Sequence, residues 1–285
     1  MADNIKAIRA RLKSVESTGH ITKAMELVAS SKIKRASAKM EQSRFYRNVM
    51  LDAFAALSKE KGPYSTSRGR ILPTLYIIIA GDRGLAGGYN NNIFRSSVAM
   101  LRESDLVIPI GKRAVDYFSR HVKTVTEEFV SCERFSSENC AKIAYLVRDM
   151  YDREEIGAVN LISTKFVSML SQTPDITYLL PLDRIGQKDG DNESEKRESV
   201  LSSLAEFEPN AEEVLKAIIP EYISGVLYSA VAESFASEVA ARRAAMDTAT
   251  KNAQTMYDEL SLSYNRARQG AITQEITEIV AGANA

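Results

Sequence analysis

Tryptophan is absent from these 285 residues, and there are only two cysteines, two histidines and seven prolines. Each shortage removes a class of function. Cys132, Cys140, His20 and His121 have no zinc-ligand spacing, so no metal is expected. Two cysteines without a framework of pairs read as free thiols in a reducing compartment. Neither histidine lies near a serine or cysteine in a triad motif, which leaves nucleophilic catalysis without a candidate. Formal net charge is zero, so there is no overall polyelectrolyte attraction to nucleic acid. No run of consecutive apolar residues approaches the ~18–20 of a membrane span. The most apolar short run, residues 76–80, reads as a buried strand. Asp3 comes at once, with no apolar h-region behind it, and a Ser-rich, acid-poor transit pattern is missing too. A bacterial cytoplasmic protein fits these observations.

Proline is also missing from two long stretches, and both carry helical periodicity. In the first, up to about residue 59, Ile5, Ile8, Leu12 and Val15 step by three and four, then Ile21, Met25 and Val28, then Ile33, Ala36 and Met40. The stripe slips by one place near Gly19 and slips back near Lys32, as in nearly straight helices without strict heptads. Gly19 costs ~1 kcal/mol inside a helix, so it marks a candidate close approach of two backbones. About 57 residues at 1.5 Å each make a rod of roughly 85 Å, too long for a globular-domain helix. The second stretch, free of proline from Glu221 to about Ala281, follows a shorter helical pattern that starts near Asn210, a candidate N-cap with Glu212 and Glu213 in the first turn. Pro220 is expected to end or kink that helix and to open another. From there Ile223, Leu227, Val231, Phe235, Val239, Met246, Met256, Leu260 and Tyr264 continue the periodicity. Residues 1–61 carry 13 Lys/Arg against 6 Asp/Glu, and residues 211–285 carry 6 against 10. Segments of opposite sign can pair, and the basic one can also face an acidic partner.

Between the helical stretches lies an alternating pattern. Strands are expected at 75–80, 106–110, 158–164 and 176–180, with helices at 90–102, 112–121 and 136–151, the last capped by Ser136 or Ser137. Such alternation predicts an open sheet of about five strands, partly parallel. The divisions are a helix over 1–61, an α/β domain over 70–185, a polar connection over 186–209, and a helix with its tip over 210–285. The turn-rich run at 62–69 breaks the first helix. Folding the two helices back as an antiparallel pair, with position 60 beside 210, puts the first residue beside about 270. The last ~15 residues then project alone, and lone helices of that length are marginal in water. That tip carries Ile272, Ile276, Ile279 and Val280 at helical spacing, so an apolar surface outside the chain is expected to hold it.

Residues 81–90, Gly-Asp-Arg-Gly-Leu-Ala-Gly-Gly-Tyr-Asn, follow a strand and precede a helix, where a phosphate loop would sit. They match neither G-x-G-x-x-G nor G-x-x-x-x-G-K-[ST], and no Lys-Ser/Thr pair follows. Glycines also serve tight turns, and the loop reads better as a docking surface bearing Asp82 and Arg83. Glu127-Glu128 and Glu154-Glu155 read as solvated faces. Arg242-Arg243, amid alanines, reads as surface charge or a partner contact, and Met25 as a seam residue. No catalytic constellation emerges and no cofactor is expected.

Three stretches carry a resemblance to a known family. They are residues 21–29 (Ile-Thr-Lys-Ala-Met-Glu-Leu-Val-Ala), the loop at 81–90, and, most specifically, Ala267-Arg268-Gln269 with Ile272-Thr273-Gln274-Glu275-Ile276-Thr277-Glu278-Ile279-Val280-Ala281-Gly282-Ala283. Over essentially its whole length the chain resembles the gamma subunits of F-type ATP synthases. The implied fold class is α/β: a long antiparallel α-helical coiled coil from the N- and C-terminal segments plus a central Rossmann-like α/β domain. The implied role is a non-catalytic rotor shaft. It turns inside the hexamer of alpha and beta subunits, bears on the c-ring beside epsilon, and couples proton flow to ATP synthesis made elsewhere. The implied partner contacts are Met25, Asp82, Arg83, Gly87, Arg242, Arg268, Gln269, Thr273 and Glu275. Met25 matches a position where added charge disturbs coupling, and Gly282 and Ala283 match the tip in an apolar collar. The implied location is the cytoplasmic face of the bacterial cell membrane, peripheral through the c-ring and not inserted.

Gly270 and Ala271 depart slightly from the family pattern, and Gly270 loosens that turn. The cysteine-bearing insertion of chloroplast forms is not evident, so thiol regulation is not expected. Glu206, Phe207 and Glu208 are candidates for the ring-facing side by position. A static coiled-coil scaffold and a nucleotide-binding enzyme are the competing readings. The first requires catalysis indifferent to the tip; the second requires nucleotide to protect the loop at 81–90.

Overall fold

The fold comes from a computed structural model that describes residues 2–57, 64, 72–126, 128–129, 131–184 and 211–283. The break at 62–69 (Tyr64 apart), the polar connection at 186–209, Asn210 and the residues 206–208 lie outside the described residues. The chain divides into two compact units, residues 32–241 and residues 1–31 with 242–285.

The larger unit is built on a four-stranded sheet. Its elements are β1 (Thr74–Ile79), α2 (Tyr89–Val98), β2 (Leu106–Ile110), α3 (Lys112–Phe118), α4 (Ser137–Asp152), β3 (Ala158–Phe166) and β4 (Gln172–Leu180). Two long helices, α1 (Ala2–Leu57) and α5 (Ala211–Ala283), contribute to both units. Strand order is β2-β1-β3-β4, with β1 parallel to both neighbours and β4 antiparallel to β3. The sheet thus has four strands among the described residues, one fewer than the alternation suggested. The fourth runs from Gln172, where the sequence pattern starts only at Ile176, because Pro174 masks the pattern. An edge strand tolerates that proline, since its N–H need not join a ladder.

Parallel strands buried on both faces read as continuous apolar runs, and β1 is such a run. Leu75, Ile77 and Ile79 enter one cluster with α4, Phe54 of α1 and the Leu215–Val231 part of α5. Tyr76, Ile78 and Ala80 enter the opposite cluster with Ile93 of α2 and Phe118 of α3. Ser136 caps α4 through a capping box: its hydroxyl accepts from the Asn139 amide, and the Asn139 side chain accepts from the Ser136 amide.

Pro220 does not interrupt α5, which runs unbroken past it. A proline inside a helix forfeits a hydrogen bond and its ring clashes with the preceding turn, a cost of ~3 kcal/mol or more. The flanking Leu215, Ile219, Tyr222 and Ile223 are all fully buried in the core, and that packing holds the helix together across the proline. Beyond it, residues 229–234 and 236–240 are buried without exception, as befits a helix enclosed by protein on all sides. This explains a second difference. Among the described residues α5 holds a stretch long and apolar enough to cross a membrane, but 61% of that window is buried inside the protein. Counting consecutive apolar residues misses it because serines and the acids Glu233 and Glu238 interrupt the run.

The smaller unit is an antiparallel pair formed by the first part of α1 and the last part of α5. Its inward positions on α1 are Leu12, Val15, Gly19, Thr22, Glu26 and Ala29, alternating steps of three and four. Those on α5 are Met246, Thr250, Ala253, Tyr257, Leu260, Tyr264 and Ala267, with the same alternation. These are heptads, the signature of a left-handed coiled coil. Gly19 faces Ala253, and the Thr250 and Thr22 hydroxyls hydrogen-bond at 2.8 Å. That register puts residue 2 level with about residue 270, close to the pairing expected from the sequence.

The expected slip of the seam near Gly19 is absent. Small and polar residues carry the seam there, and Ile21 is left 59% exposed, with Leu27 and Val28 similarly exposed. Met256 is also outside the seam. Nor does Gly19 mark a close approach. A Cβ there would sit 3.6 Å from the Ala253 Cβ, an ordinary contact. Gly19→Ala is therefore expected to stabilise the chain by about 1 kcal/mol, read as a raised urea midpoint; a lowered midpoint would show that the glycine is required. The close approach of helices lies instead in the larger unit at Gly225, where a Cβ would meet the Tyr46 ring at 2.6 Å.

Candidate functional site

The loop at 81–90 leaves the C-terminal end of β1 and opens α2. Its crevice, between the ends of β1 and β3, is the switch point where strand order reverses, the usual ligand position in open α/β sheets. Here the protein's own helix occupies it. A Cβ on Gly81 would lie 2.7 Å from Cδ of Glu238 on α5, a buried residue. The Tyr89 hydroxyl donates to the Ser234 carbonyl of α5 at 2.9 Å, and burial raises its pKa. From β3, the Thr164 amide donates to the Ser234 hydroxyl at 3.2 Å and the Phe166 amide to a Glu233 carboxylate oxygen at 3.0 Å. Two carboxylates and one serine of α5 thus take positions open to phosphate in a nucleotide fold.

The loop closes on itself and on its neighbours. Asn90 accepts from the Gly81 amide at 2.9 Å and donates to the Arg83 carbonyl at 3.2 Å. Asp82 accepts from the Cys132 amide at 2.9 Å, the Glu133 amide at 3.2 Å and the Ser131 hydroxyl at 3.1 Å. The Asp82 carboxylate is therefore spent on binding the 131–133 segment to β1. Arg83 and Gly87 are exposed, and Leu85 stands out from the loop on a left-handed backbone, φ 61°.

The other sequence-predicted contacts fall in the smaller unit. Met25 and Arg242 are half-buried. Arg268, Gln269, Thr273 and Glu275 are exposed on the last turns of α5. Beyond Ala271 every described residue is exposed, with Ile279 at 71%. Among the described residues no group of His, Cys, Asp and Glu is placed to hold a metal ion. Both cysteines are buried and free. Burial pushes the Cys140 thiol up to about 12 and also raises Cys132 well above the usual thiol range, with the nearby Asp82 charge adding to the Cys132 shift. Neither has the thiolate character of a reactive cysteine.

Glu233, Ser234 and Glu238 are the residues that sequence reasoning passed over. One signal was available. Between Glu221 and Arg242 they include the only charges, Glu233 and Glu238, in an otherwise apolar and small-residue run. Acids are almost never buried unless paired.

Comparison with known proteins decides what this arrangement belongs to. A family model described as ATP synthase matches residues 4–285. The ATP synthase gamma chain of Ruminiclostridium cellulolyticum is 37% identical, with 100% of this chain and 99% of that one aligned. The chain belongs to the ATP synthase gamma family. A further gamma chain, from Acetobacterium woodii and named sodium ion specific, is also 37% identical, covering 100% of this chain and 99% of its own. Among solved structures, a chain of the Euglena gracilis mitochondrial ATP synthase shares the fold, with a TM-score of 0.69 at 19% identity over 100% of this chain and 95% of that one.

As a gamma chain, this protein is a central rotor shaft and not a catalytic subunit; catalysis in such a synthase lies in the beta subunits. It is part of a peripheral, membrane-associated complex. The crevice filled by α5 fits that assignment, since a nucleotide site has been replaced by a joint between sheet and helix.

Proposed function

We propose that this gamma chain turns within a hexamer of alpha and beta subunits, carried by a c-ring and joined by an epsilon subunit. Rotation driven by the ion gradient, protons in the simplest case, is passed through α1 and α5 to the beta subunits, whose nucleotide affinities change in sequence. The reverse rotation, driven by ATP, pumps the ion. The location is the cytoplasmic face of a bacterial cell membrane. Contact with the hexamer runs through Met25, Arg242, Arg268, Gln269, Thr273 and Glu275, and contact with neighbouring stalk subunits through the loop bearing Arg83 and Gly87. Asp82 serves that loop from within.

The observation that carries this reading is the unpaired end of α5. Ile272, Ile276, Ile279 and Val280 stand exposed at helical spacing, and an isolated helix of that length is marginal in water. A ring of other subunits supplies the missing apolar surface. The exposed Ile21 and Val28, off the seam of α1, face outward for the same purpose. An asymmetric shaft is required, because contacts equal in every catalytic state would shift none of them.

The test is co-expression with alpha and beta subunits, with and without residues 266–285. The full chain is expected to give a stable complex with ATPase activity, and the truncated chain a complex of lowered activity or one that loses its shaft. Failure of the full chain to associate would overturn the assignment of partners.

A further inference from the structure

A shaft that delivers torque must not turn inside its own mounting, and apolar packing alone resists that poorly because it is non-directional. On the rotor reading, the larger unit therefore needs a directional joint on α5. Glu233 supplies the geometry for one. Its side chain is 4% exposed. One carboxylate oxygen accepts from the Arg44 guanidinium at 2.6 Å and from the Phe166 amide of β3 at 3.0 Å; the other accepts from Arg47 at 3.1 Å. Arg44 in turn donates to the Phe166 carbonyl at 2.9 Å. Two helices and the sheet thus meet on a single carboxylate.

We propose that Glu233 is a positioning residue that keys α5 against rotation about its own axis, fixing it to α1 and β3 so that torque reaches the catalytic subunits without slip. Successive side chains on an α-helix lie about 100° apart. Turning α5 by one residue would therefore carry the carboxylate away from all three partners at once. The five-residue step to Glu238, buried beside Gly81, places a second acid on the sheet side of the same helix. Charge-assisted hydrogen bonds of this kind are directional and stronger than neutral ones, and the low exposure keeps water from replacing them.

Glu233→Gln keeps the size of the side chain and removes its charge. In the assembled, membrane-bound synthase it is expected to retain ATP hydrolysis while losing ions pumped per ATP and torque against a viscous load. Arg47→Gln, at a more exposed partner, is expected to give a smaller loss of the same kind, and it decides the matter should the Glu233 variant not assemble. Ser237→Ala, a buried position on the same helix, serves as the packing control and is expected to pump as the unaltered enzyme does. Unchanged pumping per ATP in both charge variants would overturn the proposal, as would an equal loss in Ser237→Ala. Absence of ion-coupled hydrolysis with the unaltered chain would be a separate result and would count against the rotor reading itself.

Discussion

Gly111→Ala should leave no stably folded α/β unit. Gly111 joins β2 to α3 with φ at 92°, a backbone region that residues with a Cβ rarely adopt. A Cβ there would lie 2.1 Å from the Ala80 carbonyl oxygen and 3.0 Å from the Cys132 sulfur. The carbonyl belongs to the end of the central strand and cannot swing away, since the Ala80 and Gly111 amides are already bonded to Ile110 and Phe129. Strain of 1–3 kcal/mol from the backbone region, added to a contact with backbone, exceeds about 4 kcal/mol, a large share of a domain's ~5–15 kcal/mol. Hydrogen exchange of the β1 and β2 amides would register the change even if the long helices persist. Full protection of those amides in the variant would show that the turn can rearrange.

Glutamates at both Ile276 and Ile279 should have the opposite profile: no effect on the fold, and a large one on the assembly. Both side chains are exposed in the isolated chain, so its urea midpoint should stay within about 0.5 kcal/mol of the unaltered value, as for ordinary surface changes. Burying each isoleucine against a partner is worth roughly 1.5–3 kcal/mol, and a buried unpaired carboxylate costs more. The expected readout is a reconstituted complex that forms weakly or turns over slowly. Normal assembly and turnover would mean that the tip is held by polar contacts or by none.

What the sequence made legible, and what it hid, follows from the kind of pattern each element leaves. Strand β1 announces itself because burial on both faces demands an unbroken apolar run. The tip could be singled out because its isoleucines had no plausible cover within the chain. The seam of the helical pair was misplaced because periodicity follows size. Ile21, Met25 and Val28 outweigh Gly19, Thr22 and Ala29 on any apolar scale, yet the smaller set faces the partner helix. Of the larger set Ile21 and Val28 point away, where an isolated chain gives no reason for them to be, while Met25 is half-buried. Continuity through Pro220 was hidden for a different reason, since a local rule cannot see the two buried side chains that pack on each side of the proline. Glu233 was the hardest, because an acid is read as solvated until its cations, here more than 180 residues away in the chain, are brought beside it.

The narrow, heptad-patterned seam has a mechanical corollary. A left-handed two-stranded rope does not respond alike to both senses of twist: one winds it tighter and presses the strands together, the other opens it. With glycine, alanine and threonine at the contact, winding presses short side chains together, while unwinding has only a short-reaching contact to oppose it. The pair is therefore a spring whose stiffness depends on the direction of load. Elastic energy stored during ATP-driven turning need not equal that stored during synthesis, even though the same two helices carry both.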